Sequence, residues 1–305
     1  MFKNIQAKHK RGIMSERKAN ALLFSAAIVW GWGFIAGKQA LSTLNPFILL
    51  LIRFSLAAAF MGVIFSRRIK NVPRETVKKG FIIALFQAAG ILVQLIGLQY
   101  TTTAKQAFLI PSYVVFVPFL SWIIFKENPG IKAIIAGIIS IAGIGFITLN
   151  ENFTIGLGDS ISLCFAVIFG LEIIYISAAV TEDVDVIQMS FYEYVFISVF
   201  ALVMCLFKGV IASDIFECFR VSFSSESLLG ILYLGTFNTV YAFTIQNSAQ
   251  PYSKTSTAAL IMGLESVFGF LFSIIYYHEI ITFRFLLGAS LCFGAILLAT
   301  VKKEG

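Results

Sequence analysis

The sequence predicts an all-α integral membrane protein of ten transmembrane helices, arranged as two inverted repeats of five helices. Three observations support this fold class: the composition, the length of the apolar segments and an internal duplication. Hydrophobic residues make up 58% of the 305-residue chain and charged residues 13%, and the mean hydropathy is +0.89. A soluble domain usually contains about 25% charged residues. The composition is therefore that of a chain buried largely in lipid.

Ten apolar stretches follow one another along the chain. Each is about 20 residues long, which is the length that a helix needs to cross a ~30 Å hydrocarbon layer. Because backbone groups in lipid must satisfy their own hydrogen bonds, such stretches form helices. The alternation of polar and apolar residues that a membrane β-barrel requires is absent from the sequence. The predicted spans are 19–38, 46–65, 80–99, 104–125, 131–149, 157–178, 187–207, 227–246, 255–277 and 283–301.

The second half of the chain repeats features of the first half. Tyr113 and Glu127 have the same separation as Glu265 and Glu279, and both pairs recur at an offset of 152 positions. Internal duplication in a very apolar chain is typical of transporter folds. A second set of matching residues has the same glycine spacing in both halves: Gly137 and Gly143, then Gly288 and Gly294.

Each half contains an odd number of spans, and this has a topological consequence. The second half then starts on the opposite side of the membrane from the first. The halves are therefore inverted repeats, related by a pseudo-two-fold axis in the membrane plane. The sequence predicts a basic cytoplasmic N-terminal tail (1–18), a first five-helix repeat (19–150) and a second five-helix repeat (151–305).

Lysine and arginine residues are distributed unevenly between the predicted loops. Most of the 23 fall in the N-terminal tail, the 66–79 loop and other segments on the same side of the membrane. Because basic loops stay in the cytoplasm, this bias predicts a multi-pass protein of the cell (cytoplasmic) membrane with both termini cytoplasmic. The 209–226 loop is then outside. The net charge of +7 thus reflects orientation, and no nucleic-acid partner is predicted.

Several short segments are similar to those of a known family. The start Trp30–Phe34, followed by Asn45 and Arg53, resembles the opening of an EamA-type half of the drug/metabolite transporter superfamily. The resemblance covers about 20–302 and implies a ten-helix carrier with a central cavity, most often an exporter of small metabolites. Further similar segments are Gln94–Thr102, Ala107–Leu109, Tyr113–Pro118, Glu127, Gly158–Asp159, Ala259–Leu260, Glu265–Phe268 and Glu279.

The chain departs from the family pattern at two positions. Ser266 stands where proline usually follows the glutamate, and His278 stands where glycine usually precedes the final glutamate. Both differences are expected to affect local helix geometry without removing the pattern.

Two acidic residues within predicted spans are candidates for function. Glu265 lies ten residues into its span, about 15 Å deep, where a carboxylate costs a few kcal/mol unless it faces a cavity or a partner. It is a candidate for substrate binding and for proton coupling, and Glu172 is a second candidate for both roles. Tyr113, the repeat equivalent of Glu265, is expected to approach it and to contact substrate. The alternative for both acids is a hydrogen-bonded packing role.

Polar and aromatic residues of the first, third and eighth spans are further candidates for substrate binding. Gln87 and Gln94 are seven residues apart, and Asn238 and Tyr241 are three apart, so each pair is predicted to share a helix face. Trp30 is placed too deep for an interfacial aromatic residue. Such residues either line a cavity or join helices through hydrogen bonds.

Other residues are expected to be structural. Arg53 and Glu193 are equivalent positions at opposite depths, so each is expected to anchor its own half rather than to form a salt bridge with the other. Glu127 and Glu279 end their spans, where they are predicted to cap helices or pair with loops. Four glycines, which allow close helix approach, mark the fifth and tenth spans as scaffold: Gly137, Gly143, Gly288 and Gly294.

The sequence contains no nucleotide-binding motif and no metal-ligand set, so no cofactor is predicted. We therefore expect a secondary transporter that moves a small metabolite, such as an amino acid, through a lipid bilayer by alternating access. Coupling to an ion, with a proton as the candidate, or exchange would supply the energy. Two alternatives are a membrane-embedded enzyme acting on a lipid-linked substrate and a non-transporting membrane sensor. The first needs clustered catalytic residues and the second a soluble output domain, and neither feature is found.

Overall fold

The computed structural model describes residues 14–126, 130–149, 155–179, 184–211, 214, 216, 219, 221–253 and 261–300. Within these ranges the secondary structure is helical, apart from an isolated backbone bridge between Leu149 and Ile155. Three features of the sequence analysis lie outside the described residues: most of the predicted N-terminal tail (1–13), Glu127 and the first part of the predicted ninth span, 255–260.

The helices of the two halves follow the predicted spans. Those of the first half are α1 (Glu16–Ala40), α2 (Pro46–Ile64), α3 (Arg74–Gln99), α4 (Thr103–Leu109), α5 (Tyr113–Phe125) and α6 (Gly130–Thr148). Those described in the second half are α7 (Leu157–Ala179), α8 (Val186–Ile211), α9 (Ser225–Tyr233), α10 (Ala242–Ala249), α11 (Glu265–Tyr277) and α12 (Phe283–Thr300). Three short segments have other helical geometry: the 3₁₀ turns Ile110–Ser112 and Gln250–Tyr252 and the π-helix Leu234–Tyr241.

Among the described residues, eight helical stretches are long and apolar enough to cross a membrane. Two shorter apolar helices, Ile261–Tyr277 and Phe283–Leu298, follow them. The all-helical, multi-pass class predicted from the sequence is therefore confirmed. The count of ten complete spans stays a prediction.

Local sequence explains where α2 begins. Asn45 caps α2, because its Oδ1 accepts hydrogen bonds from the Phe47 and Ile48 amides at 3.1 and 3.0 Å. Pro46 fills the first helical position, where its missing N–H and fixed φ are no disadvantage. The segment Asn45-Pro46, one of those similar to the family, thus determines where α2 begins.

Two membrane stretches are interrupted near their middle, at positions 152 residues apart. The 3₁₀ turn containing Pro111 separates α4 from α5, so that α5 begins at Tyr113. A turn at Leu264 precedes α11, which begins at Glu265. Non-helical backbone at membrane depth is tolerated where protein surrounds it or where it lines a cavity. The two breaks place Tyr113 and Glu265 at the first positions of α5 and α11.

Helices of the two halves pack against each other rather than forming separate bundles. The first-half helix α1 contacts α9, α10 and α11, while α2 and α3 contact α8, and α3 also contacts α7. Glycines permit the closest approaches: a Cβ added to Gly31 would lie 2.9 Å from the Gly269 amide nitrogen, and one added to Gly230 would lie 2.5 Å from the Ala36 carbonyl oxygen. The two halves therefore share a continuous core.

Two of the four scaffold glycines allow the close helix approach that was predicted, and they do so at the contact between α6 and α12. A Cβ added to Gly143 would lie 2.8 Å from the Gly288 oxygen, and one added to Gly288 would lie 2.7 Å from the Gly143 oxygen. Gly137 faces the ring of Phe119 on α5 instead of another helix backbone. The prediction is wrong for Gly294, which is exposed and has no atom within 4 Å of an added Cβ.

Left-handed residues end two equivalent helices. Lys126 follows α5 with φ of 58°, and His278 follows α11 with φ of 51°. Glycine adopts this conformation without steric cost, which accounts for the family's usual glycine where this chain has His278. The other departure, Ser266, is accommodated because its hydroxyl donates to the Gly263 carbonyl at 2.7 Å.

Gly143→Ala and Gly288→Ala are expected to destabilise the protein by about 1–3 kcal/mol, because the added methyl group overlaps a backbone oxygen that cannot move freely. Gly294→Ala is the matched control and is expected to leave stability unchanged. Thermal unfolding of the purified protein in detergent measures the difference. An equal loss at Gly294 would contradict the close contact between α6 and α12.

Candidate functional site

A cavity lies where helices of both halves meet. Its volume is about 50 Å³, which holds a few water molecules but not a metabolite. The walls come from α1, α2, α3, α7, α10, the π-helix and the two helix breaks. The lining residues are Trp30, Gly33, Phe34, Gly37, Arg53, Ile91, Gln94, Leu95, Leu98, Ile110, Tyr113, Phe165, Phe169, Leu234, Asn238, Phe243 and Glu265.

A hydrogen bond joins the two interrupted stretches. The Tyr113 hydroxyl donates to Glu265 Oε1 at 3.2 Å, and the Tyr113 ring packs edge-on against Phe169, with centroids 4.9 Å apart. Each residue is the first of its helix, so the carboxylate of Glu265 lies at the N-terminus of α11, where the helix dipole favours negative charge. The approach of these two equivalent residues, predicted from the repeat, is confirmed.

Arg53 reaches across the boundary between the halves. Its Nε donates to Thr239 Oγ1 at 2.7 Å and its Nη2 to Asn238 Oδ1 at 2.8 Å. Both acceptors belong to the π-helix of the second half, so the expectation that Arg53 anchors only its own half is wrong. A buried guanidinium must be hydrogen-bonded, and the π-helix supplies two side-chain oxygens at its depth. No ion pair between Arg53 and Glu193 is found among the described residues, as predicted.

The π-helix also changes the position of Tyr241. A π-helix closes its turns with i→i+5 hydrogen bonds, so a step of three residues falls well short of a full turn. Asn238 lines the cavity, whereas Tyr241 is 38% exposed and its hydroxyl pairs with Ser25 Oγ at 2.8 Å. The prediction that these two residues share a face is therefore wrong, because it assumed α-helical spacing.

Aromatic rings form much of the cavity wall. Trp30 packs against Phe243 at 5.3 Å between centroids, and Phe165 stacks on Phe169 at 5.1 Å. The Trp30 Nε1–H is buried and has no hydrogen-bond partner in the described part of the chain. A buried indole donor usually finds a partner, so this wall offers a donor to a bound molecule.

The structure brings most of the sequence-predicted site residues together and separates three of them. Those on the cavity wall are Trp30, Gln94, Tyr113, Asn238 and Glu265. Gln87 and Glu172 are buried but lie outside the set of lining residues, as does Tyr241. Arg53, which the sequence analysis treated as structural, belongs to the wall.

Glu279 caps a helix of the other half. Its carboxylate accepts from the Thr103 and Ala104 amides at 3.2 and 3.3 Å and from the Thr103 hydroxyl at 2.6 Å. These are the first amides of α4, which a helix leaves without internal partners. The capping role predicted for Glu279 is confirmed, and the equivalent Glu127 lies outside the described residues.

A polar network that the sequence analysis missed lies next to the cavity wall at Leu98. Lys38 Nζ donates to the Leu98 and Thr101 carbonyls at 2.7 and 3.0 Å. Lys105 Nζ lies 3.0 Å from Asp159 Oδ2, and Asp159 also accepts from the Thr101 hydroxyl. Leu98 lines the cavity, so the network adjoins the wall through the Leu98 carbonyl. Asp159 lies in the Gly158–Asp159 segment that is similar to the family, and this similarity was the feature of the sequence that could have indicated the network.

A larger cleft of about 340 Å³ lies between α5 and α6, but its lining is apolar except for Ser140. Ile138 and Ile141 in this lining are exposed, as expected of a surface that lipid covers. The smaller central cavity, with its charged and hydrogen-bonding groups, is therefore the candidate binding site.

Comparisons with known proteins identify the family of this chain. The EamA-like transporter family matches residues 17–149 and 156–301, one match in each half. A multi-pass, helical membrane transporter is the class that the fold and these matches define. The chain belongs to the EamA-like transporter family.

Individual relatives extend over nearly the whole chain. An uncharacterized transporter of Archaeoglobus fulgidus is 29% identical over 276 residues, covering 90% of this chain and 83% of that protein. The uncharacterized transporter YoaV of Bacillus subtilis is 21% identical over 284 residues, covering 90% of this chain and 94% of its own length. One protein of known crystal structure is similar with a TM-score of 0.66 and 14% identity, covering 93% of this chain and 97% of that one, which shows a shared fold.

Thr239→Val removes the acceptor of Arg53 Nε while keeping the side-chain shape. It is expected to destabilise the protein by about 1–3 kcal/mol, because a buried charged donor loses its partner. Thr236→Val is the matched control, since the Thr236 hydroxyl donates within its own helix to the Leu232 carbonyl. Thermal unfolding of both variants tests the contact, and equal stabilities would contradict it.

Proposed function

We propose that the protein is a secondary transporter that carries a small zwitterionic solute, an amino acid or a related metabolite, across the cytoplasmic membrane by alternating access. The observation that carries this proposal is the presence of Arg53 and Glu265 in the wall of one buried cavity. The two charges do not neutralise each other, because Arg53 bonds to Asn238 and Thr239 while Glu265 bonds to Tyr113.

The chemistry of the wall matches a zwitterion with an apolar side chain. Arg53 has five N–H donors, of which two bonds to the π-helix are accounted for, and a guanidinium suits a carboxylate. Glu265 offers a carboxylate for an ammonium group. The remaining wall is formed largely by apolar side chains such as Ile91, Leu95 and Phe165, which favour an aliphatic or aromatic side chain on the solute.

Transport requires this cavity to widen, since about 50 Å³ is too small for an amino acid. Rocking of one half against the other around a fixed central site would widen it alternately to each side. The polar network of Lys38, Lys105 and Asp159 adjoins the cavity wall at Leu98. Its hydrogen bonds would have to break when the cavity widens on that side. We propose export as the direction, because most carriers that the chain resembles move metabolites out of the cell.

The energy source in this proposal is ion coupling or exchange. Glu265 is one candidate proton carrier because it lies in the cavity beside the solute. The transporter names of the relatives from Archaeoglobus fulgidus and Bacillus subtilis favour transport over catalysis on a lipid-linked substrate.

The proposed topology has both termini in the cytoplasm and inverted repeats at 19–150 and 151–305. The family matches at 17–149 and 156–301 support two repeats with nearly these limits. The basic 66–79 loop supports its cytoplasmic placement.

Single cysteines in a cysteine-free variant test the topology. Ser222→Cys is expected to react with a membrane-impermeant maleimide in intact cells, and Val72→Cys only after the cells are opened. Labelling at position 72 in intact cells would contradict the proposed cytoplasmic placement of the 66–79 loop.

Transport in proteoliposomes tests the zwitterion site. With a mixture of isotope-labelled amino acids, the wild type is expected to transport members that have apolar side chains. Glu265→Gln and Trp30→Phe are expected to lower their apparent affinity roughly tenfold or more, equal to about 1.4 kcal/mol, because each removes one polar contact. Tyr241→Phe and the exposed Glu226→Gln are controls outside the cavity and should transport normally. Similar losses in the controls and the cavity variants would place the site elsewhere.

A further inference from the structure

We propose that Glu172 and Glu193 form a proton-binding site in the second half, separate from the central cavity. The proposal rests on the proposed transport function and deepens it, since it names the coupling ion and the groups that hold it. The sequence analysis assigned Glu193 a structural role and considered Glu172 alone.

The two carboxyl groups come from neighbouring elements and lie beside the cavity wall. Glu172 is on α7, one turn from Phe169, and Phe165, Phe169 and Glu172 have the spacing of one helix face. Glu193 is on α8. Ile176, one turn beyond Glu172, and Met189, one turn before Glu193, pack with Ile83 of α3 in one buried cluster. This contact brings the two acids into the same region, and their residues are 2% and 0% exposed.

These acids lack the partners that buried carboxylates normally have. In the described part of the chain, Glu172 Oε2 and both Glu193 carboxylate oxygens are buried without a hydrogen-bond partner. The ion pairs found there join Arg68 to Asp185 and Lys105 to Asp159. Among the described residues, these two buried carboxyl groups therefore have no ion-pair partner.

Several charged and titratable groups on the packed elements have other partners or lie far along their helix. Arg53 of α2 bonds to Thr239 and Asn238 of the π-helix. Glu75 lies in the first turn of α3. Tyr113 of α5 donates to Glu265.

Helices α10 and α3 contribute uncharged polar residues to this region. From α10, Asn247 donates to Ser190 Oγ of α8 at 3.1 Å. On α3, which packs against both α7 and α8, Gln87 is buried and its Oε1 has no partner among the described residues. Lys105 of α4 pairs with Asp159, two turns beyond Phe165 toward the other end of α7.

A bound proton resolves this arrangement. Two ionised carboxylates in an apolar interior repel each other and lose their hydration, whereas carboxyl pairs that share a site hold a proton readily. A protonated carboxyl group becomes an O–H donor, and the other carboxylate is an acceptor. No bond other than O–H forms or breaks, and the proton comes from water on one side of the membrane and returns to water on the other.

A chain of contacts connects this pair to the solute cavity. Tyr194, next to Glu193, donates its hydroxyl to the Thr239 carbonyl at 3.2 Å, and Thr239 Oγ1 accepts from Arg53. A solute carboxylate that binds Arg53 would thus shift the positions of the π-helix and of Tyr194. Through them it would change the space available to the acidic pair. This gives the coupling between solute and proton a physical route.

The first experiment needs no solute. Infrared spectra of the protein in liposomes are recorded across a pH titration for the wild type and for Glu172→Gln/Glu193→Gln. We expect a carbonyl band of a protonated carboxylic acid in the wild type that is missing from the double variant and retained in Glu265→Gln and in the exposed control Glu226→Gln. A wild-type band that persists unchanged in the double variant would overturn the proposal.

The second experiment separates coupling from transport. Proteoliposomes are tested with the labelled amino-acid mixture for exchange without a gradient and for uptake driven by a pH gradient. The double variant is expected to retain exchange within about twofold of the wild type and to lose pH-driven accumulation. Accumulation by the double variant, or wild-type accumulation driven by sodium instead, would overturn the proton pair and leave the proposed function standing. A wild type that moves no amino acid would refute the proposed function, and the infrared result would still decide the pair.

Discussion

Burying charge inside a membrane protein is energetically costly, and this cost determines which groups surround the two charged residues at the centre of this molecule. A charged side chain at bilayer depth is tolerated when it faces a cavity or has hydrogen-bonding partners. Arg53 meets that requirement by bonding to the π-helix of the other half, and Glu265 by accepting from Tyr113 at the start of a helix. Because both sets of partners lie across the boundary between the halves, the charges that define the site also hold the halves in register.

Segments that depart from the regular α-helix place the hydrogen-bond partners of Arg53 and Glu265. The breaks before Tyr113 and Glu265 bring two helix starts together, and the π-helix Leu234–Tyr241 turns Asn238 and Thr239 toward Arg53. A regular helix through 234–241 would give a different set of side chains on that face. The irregular segments thus lie where the site lies, as expected when strained or uncommon backbone is retained for function.

The sequence was informative where spacing alone decides the outcome. Apolar length predicted the helices, and the repeat matched Tyr113 with Glu265, two residues that the structure joins by a hydrogen bond. It was less informative where backbone geometry intervenes: Tyr241 was misplaced because a π-helix was not foreseen. Gly294 was misjudged because glycine spacing does not say which side of a helix meets lipid. The partners of Arg53 and Asp159 depend on packing between distant segments, which one sequence does not reveal.

The contacts around the cavity differ in how easily they can be exchanged, and this bears on how the protein could move. The Gly143–Gly288 contact is backbone against backbone and can loosen only by separating α6 from α12. The network of Lys38, Lys105 and Asp159 consists of charged groups, and water can replace their partners once they are exposed. The contacts of this network are therefore more easily exchanged for water than the backbone contact between α6 and α12.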